Sequence, residues 1–166
     1  LSMVESEHDV ALEDTDRLHG RSALVNNVKA AVALAGAVRS TLGPRGLDKM
    51  LVEDGGSTTI TNDGVTVLET AKVEHPTARL LISTSSAQDR AARDGTTTTV
   101  ILTSELLQNA LELVRSGVHP SIIANGYQIA LEEALDEMEQ TSRVPEDESV
   151  IRAVVATSIS GKVDSA

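Results

Sequence analysis

Three short stretches of this 166-residue sequence concentrate residue types that can hold an anion. Thr41-Leu42-Gly43-Pro44-Arg45-Gly46 sets glycines on both sides of a rigid proline, so backbone can approach a ligand closely. Asp94-Gly95-Thr96-Thr97-Thr98-Thr99 joins a carboxylate, a residue without Cβ and four hydroxyls at what reads as the start of a helix. Asn62-Asp63-Gly64 is the third. Glycine-rich turns expose N–H groups, a helix N-terminus adds a positive dipole end and hydroxyls add donors, and together these make a phosphate site. Asp94 would supply the carboxylate for a magnesium ion bridging phosphates. Each stretch also has an ordinary reading: a helix stop with its connection, an Asp N-cap, and a common turn. Four consecutive threonines are poor helix formers, and a plain N-cap leaves their use unexplained. Neither GxxxxGK[ST] nor GxGxxG occurs, which excludes a P-loop or Rossmann site. An independent small phosphotransferase is disfavoured as well, because no base-plus-nucleophile pair is visible.

These stretches must be positioned by helices. Apolar residues at spacings of three and four predict a helix over 22–41, capped by Ser22 and stopped at Gly43-Pro44. Its run of small residues between Ala30 and Ala37 allows another element to approach closely. Strands over 49–53 and 58–61 around Asp54-Gly55-Gly56-Ser57 read as a hairpin. Helices follow over 65–70, 76–92, 96–115 and 120–140, with prolines at two starts and Ser116-Gly117 at one end. The helix over 120–140 carries Ile122, Ile123, Tyr127, Ala130, Leu131, Ala134, Leu135 and Met138 on one side. Pro145 breaks it, and Glu146-Asp147-Glu148 open a last helix. The expected class is mainly α with one small hairpin.

Composition excludes several functions. Lys plus Arg number 14 against 25 Asp plus Glu, a formal net charge of −11, and Tyr127 is the sole aromatic residue. Nucleic-acid surfaces are basic and often aromatic, so nucleic acid is not expected as a partner. The acidity is local: residues 1–20 hold six acids and one base, residues 132–148 hold eight acids and one base, and the remainder is close to neutral. The first run reads as a solvated tail, the second as an exposed helix end with its loop. Cysteine is absent, which removes disulfides and thiolate chemistry. The longest nearly apolar run, 30–38, is far short of the ~18–20 residues of a membrane helix. No membrane partner and a cytoplasmic location are expected, since the acidic start is the reverse of a signal peptide. His8, His19, His75 and His119 show no metal-ligand spacing, and His75 and His119 each precede a proline at a helix entrance.

In order and together, the three stretches resemble the chaperonins, on the thermosome or group II-like side of that family. The resemblance runs through Thr41-Leu42-Gly43-Pro44-Arg45-Gly46-Leu47-Asp48-Lys49-Met50, Thr61-Asn62-Asp63-Gly64-Val65-Thr66 and Gln88-Asp89 with Arg93-Asp94-Gly95-Thr96-Thr97-Thr98. Val118-His119-Pro120-Ser121-Ile122-Ile123, Gly126-Tyr127 and Thr157-Ser158-Ile159-Ser160-Gly161-Lys162 extend it, so that it covers about residue 22 to the end.

The resemblance implies an ATP-driven, double-ring folding machine with ATP and Mg2+ as cofactors, and with other chaperonin subunits and unfolded clients as partners. Beyond the acidic tail read over 1–21, it implies the N-terminal half of a multihelical, ATP-binding equatorial domain over 22–144 and the start of an intermediate domain over 145–166. Carried over by position, Thr41, Leu42, Gly43, Pro44, Gly64, Gly95, Thr96, Thr97 and Thr98 would line the nucleotide, ATP or ADP. Asp94 would bind magnesium, and Asp63 would orient or deprotonate the attacking water. Lys162 matches a lysine that senses the terminal phosphate, and a solvated lysine after a glycine turn fits equally. Arg93 departs from the glycine common at that position. The apical domain and the second catalytic Asp of the family have no counterpart in these residues, so they are expected to bind Mg-ATP weakly and not to turn it over. With no aromatic ring beyond Tyr127, adenine would meet aliphatic side chains and backbone. The competing expectation is a self-standing helical scaffold or interaction protein that uses no nucleotide.

Overall fold

The computed structural model describes residues 19–43, 45–53, 55–71, 73–145 and 147–159. In chain order these form α1 (Gly20–Arg39), β1 (Lys49–Val52), β2 (Thr58–Thr61), α2 (Gly64–Thr70), α3 (Pro76–Ala92), α4 (Thr96–Arg115), α5 (Pro120–Thr141) and α6 (Glu148–Ile159). The mainly α class with one hairpin is the observed one.

α1 buries Val28, Ala31, Leu34, Ala35 and Val38 along one stripe. Ala31 and Ala35 project little, so α3 and α4 pack closely against this face. Ser22 is not the cap expected of it. The helix begins two residues earlier, and the Ser22 hydroxyl donates to His19 O at 2.8 Å instead of accepting from the first turn. At the other end Thr41 N and Thr41 Oγ1 both donate to Val38 O, which tightens the chain just past Arg39. The hairpin is antiparallel, pairing Lys49 with Thr61 and Val52 with Thr58. Gly56 supplies the left-handed residue of its turn, with φ +81°.

α3 and α5 start alike. His75 and His119 occupy the N-cap positions, and each accepts through Nδ1 from a first-turn N–H, Thr77 at 3.2 Å and Ser121 at 3.3 Å. The following Pro76 and Pro120 lack an N–H where none is needed. His75 Nε2 also lies 2.9 Å from the Asn26 amide on α1. α4 ends in a Schellman turn: Val118 N donates to Leu113 O at 3.0 Å and Gly117 N to Val114 O at 3.1 Å, with Gly117 at φ +100°.

The core joins Ala31, Leu34, Ala35 and Val38 of α1 to Val67 and Leu68 of α2, Ala78 and Leu81 of α3 and Val100 of α4. Burying one such Val or Leu contributes about 1.5–3 kcal/mol. The exposed Arg39–Glu105 pair that also links α1 to α4 is worth about 0–1 kcal/mol. Aliphatic packing therefore sets the relation of these helices.

Only the first turns of α5 share in this packing. Ile123 is buried and Tyr127 donates its hydroxyl to Leu106 O at 2.7 Å. Farther on, Leu131, Leu135 and Met138 are exposed, so the apolar side read from the sequence is real but uncovered by the described residues. Val150, Ile151 and Val154 of α6 are exposed too. No helix among the described residues is long and apolar enough to cross a membrane.

Asp147 caps α6. Its Oδ1 accepts from Ser149 N at 2.7 Å, from Val150 N at 3.2 Å and from the Ser149 hydroxyl. These bonds, that from the Ser149 hydroxyl first, hold its carboxyl below the ordinary value of 3.8. A depressed folded-state pKa gives stability that is present above the unfolded value and lost as pH falls through the folded one. Helicity at 148–159, followed by NMR, is therefore expected to be pH-independent well above 3.8 and to fray below it. Asp147→Asn, which caps without titrating, is expected to flatten that dependence.

Candidate functional site

α1 and α4 run antiparallel. The start of α1 meets the end of α4 around Leu24, Val28, Leu111 and Val114, and the end of α1 meets the start of α4. At this second junction, residues 41–43 and 94–98 line an open polar cavity of about 110 Å³. Two of the three stretches singled out in the sequence thus face one another across a single space.

The 94–98 wall is built by two left-handed residues. Arg93, at φ 57°, ends α3, and Gly95, at φ +76°, is the N-cap of α4. Asp94 is therefore not the N-cap itself. Its Oδ1 accepts from Gly95 N at 2.7 Å. No side chain caps α4, so the N–H groups of its first turn are left without partners from a capping side chain. Thr97 is buried, Thr96 half-buried and Thr98 exposed. Thr99 turns away and donates to Gly95 O at 2.9 Å.

The 41–43 wall is closed by Gly46. Gly46 N donates to Gly43 O at 2.9 Å and Leu47 N to Ser40 O at 2.7 Å. A Cβ on Gly46 would lie 2.1 Å from Thr41 O, so the loop has room for hydrogen only. Gly43, at φ +87°, makes the left-handed turn, and Leu42 stands half-exposed beside it.

Gly64 enters from a third direction. It is buried as the first residue of α2, and a Cβ there would lie 2.0 Å from Thr97 Oγ1. Asp63 precedes it, exposed, and does not line the cavity. Its Oδ2 caps α2, accepting from Thr66 N at 3.1 Å and Thr66 Oγ1 at 2.6 Å. The turn read at Asn62-Asp63-Gly64 is thus also a helix entrance. Among the described residues no group of three or more His, Asp or Glu could hold a metal, and Asp94 is the one carboxylate among the described residues that line the cavity. Pro44 and Lys162 lie outside the described residues, as do 1–18 and 160–166. Two polar residues that carried no assigned role in the sequence touch this loop from α3. Gln88 Nε2 donates to Asp94 O at 3.0 Å, and the buried Ser85 hydroxyl to Thr96 O at 3.3 Å.

Residues 34–166 match the TCP-1/cpn60 chaperonin family. The chain belongs to that family. It is 47% identical over 153 residues to thermosome subunit alpha of Thermoplasma acidophilum, covering 92% of this chain and 28% of that protein. It is 46% identical over 153 residues to thermosome subunit beta of Archaeoglobus fulgidus, covering 90% of this chain and 28% of that one. A crystal structure of a group III chaperonin in the open state superposes with a TM-score of 0.71 at 37% identity, covering 75% of this chain and 25% of its own. The chain thus spans little more than a quarter of the length of these chaperonins, and its mainly α fold is equatorial-domain-like.

The two special backbone positions give opposite expectations. Gly46→Ala forces its Cβ onto the Thr41 carbonyl and is expected to cost about 1–3 kcal/mol in urea unfolding. Arg93→Gly relieves a left-handed non-glycine residue, worth about 1–2 kcal/mol, and loses an exposed pair to Asp89 worth only about 0.3–0.5 kcal/mol. Its midpoint is expected to rise.

Proposed function

We propose that this chain is the N-terminal portion of an ATP-dependent chaperonin subunit and carries the phosphate-binding half of its nucleotide site. The observation that carries the reading is the convergence of residues 41–43 and 94–98 on one polar cavity at the uncapped N-terminus of α4. Phosphates fit that donor set. First-turn N–H groups and Thr hydroxyls supply hydrogen bonds, the α4 dipole favours anions, and Gly46 and Gly64 let backbone press against Thr41 and Thr97 from behind. Magnesium fits as well, because it is held by one or two carboxylates together with substrate phosphates, and Asp94 is such a carboxylate. When bound, the ion would neutralise phosphate charge. A cavity of about 110 Å³ suits phosphate groups; the base would lie beyond it, toward Leu42.

In this reading Thr41, Leu42, Gly43, Pro44, Gly64, Gly95, Thr96, Thr97 and Thr98 contact the nucleotide and Lys162 senses its terminal phosphate. Asp63 orients the attacking water through the carboxylate oxygen that does not cap α2. The domain division is 22–144 equatorial and 145–166 intermediate, and the assembled protein is a cytoplasmic ring that folds client proteins. The uncovered apolar sides of α5 and α6 favour contact with further protein, as they also would in a scaffold without nucleotide. Calorimetric titration with Mg-ATP separates the two. Wild type is expected to give a magnesium-dependent heat that Asp94→Ala abolishes. Asp63→Asn retains it, since Asn caps a helix about as well as Asp. Equal heats for wild type and Asp94→Ala would remove the phosphate-site assignment and leave the scaffold.

A further inference from the structure

The loop that opens α4 is held from behind. In a trans peptide the C=O and the following N–H point in opposite directions, so fixing one fixes the other. Three consecutive carbonyls here are fixed. Asp94 O accepts from Gln88 Nε2 at 3.0 Å. Gly95 O accepts from Thr99 N and Thr99 Oγ1, each at 2.9 Å. Thr96 O accepts from the Ser85 hydroxyl at 3.3 Å, and Ser85 is only 1% exposed. The N–H groups of Gly95, Thr96 and Thr97 are thereby directed the opposite way. The first of them meets Asp94 Oδ1 at 2.7 Å.

A chain of two bonds follows. Gln88 fixes the peptide between Asp94 and Gly95, and the N–H of that peptide fixes the Asp94 carboxylate. Gln88 is half-buried, and its Nε2 lies near enough that a Cβ on Gly95 would meet it in ordinary van der Waals contact, at 3.5 Å. Ser85 stands one turn earlier on the same face of α3 and acts two peptides farther along the loop.

We infer that Gln88 is a positioning residue for the Asp94 carboxylate, setting its orientation toward a magnesium ion. The inference rests on the reading of Asp94 as the magnesium ligand. A purely structural Gln88 would affect stability and leave the metal dependence of binding alone.

Gln88→Met keeps the length of the side chain and removes the donor. Titrations of the 166-residue chain with ATP, with and without magnesium, are paired with NMR of the Gly95 amide proton. Gln88→Met is expected to weaken Mg-ATP about tenfold and metal-free ATP by less than about twofold, the size of effect seen when the residue orienting a metal ligand is lost. The Gly95 amide, strongly deshielded in the wild type by its carboxylate partner, is expected to move upfield and exchange faster. An unmoved Gly95 amide, or equal losses with and without magnesium, would overturn the inference. If wild type binds no Mg-ATP, the nucleotide reading falls, and the Gly95 resonance alone still decides whether Gln88 orients this peptide.

Discussion

The close antiparallel contact between α1 and α4 is the constraint on which the candidate site depends. Ala31, Ala35 and Val38 meet a face of α4 centred on Val100, and all four are essentially sealed from solvent. Helix axes approach to roughly 8–10 Å according to the side chains between them, and alanine sets the lower end. That closeness brings residues 41–43 and 94–98 within reach of one ligand. It also sets the negative end of the α1 dipole beside the positive end of the α4 dipole, a favourable pairing in a core without aromatic rings. Gly64, pressed on Thr97, adds α2 to the same junction.

Net charge is a poor guide to such a site. The chain carries −11, yet the acids at 132–139 are exposed on the outer part of α5, where salt screens them within about 8 Å. The cavity is lined by backbone N–H groups, hydroxyls and one carboxylate. Oriented peptide dipoles create a local positive potential that no count of Lys and Arg records. Net acidity of the chain as a whole therefore does not fix the potential inside this cavity.

Much of this was legible where the chain itself dictates the outcome. Pro76, Pro120 and the Ser116-Gly117 end fixed helix limits to the residue, because proline and left-handed glycine act locally. Thr58–Thr61 was legible as a strand because all four of its residues are β-branched. Caps were harder. Ser22 has the right chemistry, but the helix starts at Gly20, so its hydroxyl serves as a donor. His75 and His119 cap by ring nitrogen, a role their residue type seldom signals. Gln88 and Ser85 could not be read at all, since their function exists only once the end of α3 lies beside the start of α4. The apolar side of α5 was legible, while the absence of a cover for it among the described residues was not.

Arg93 shows how a non-glycine residue is accommodated in the turn between α3 and α4. Left-handed backbone at both 93 and 95 reverses the chain around Asp94, so that α3 ends and α4 begins within three residues. Glycine at 95 takes up its left-handed conformation without steric cost. Arginine at 93 adopts the same region at a cost of about 1–2 kcal/mol, small against a helix junction. Part of it is offset by the Arg93 N–H bond to Asp89 O at 2.8 Å and by the guanidinium contact to Asp89 Oδ2 at 3.3 Å. Its side chain is 80% exposed and does not line the cavity. The Arg93 cation is thus held by Asp89 outside the cavity lined by residues 41–43 and 94–98.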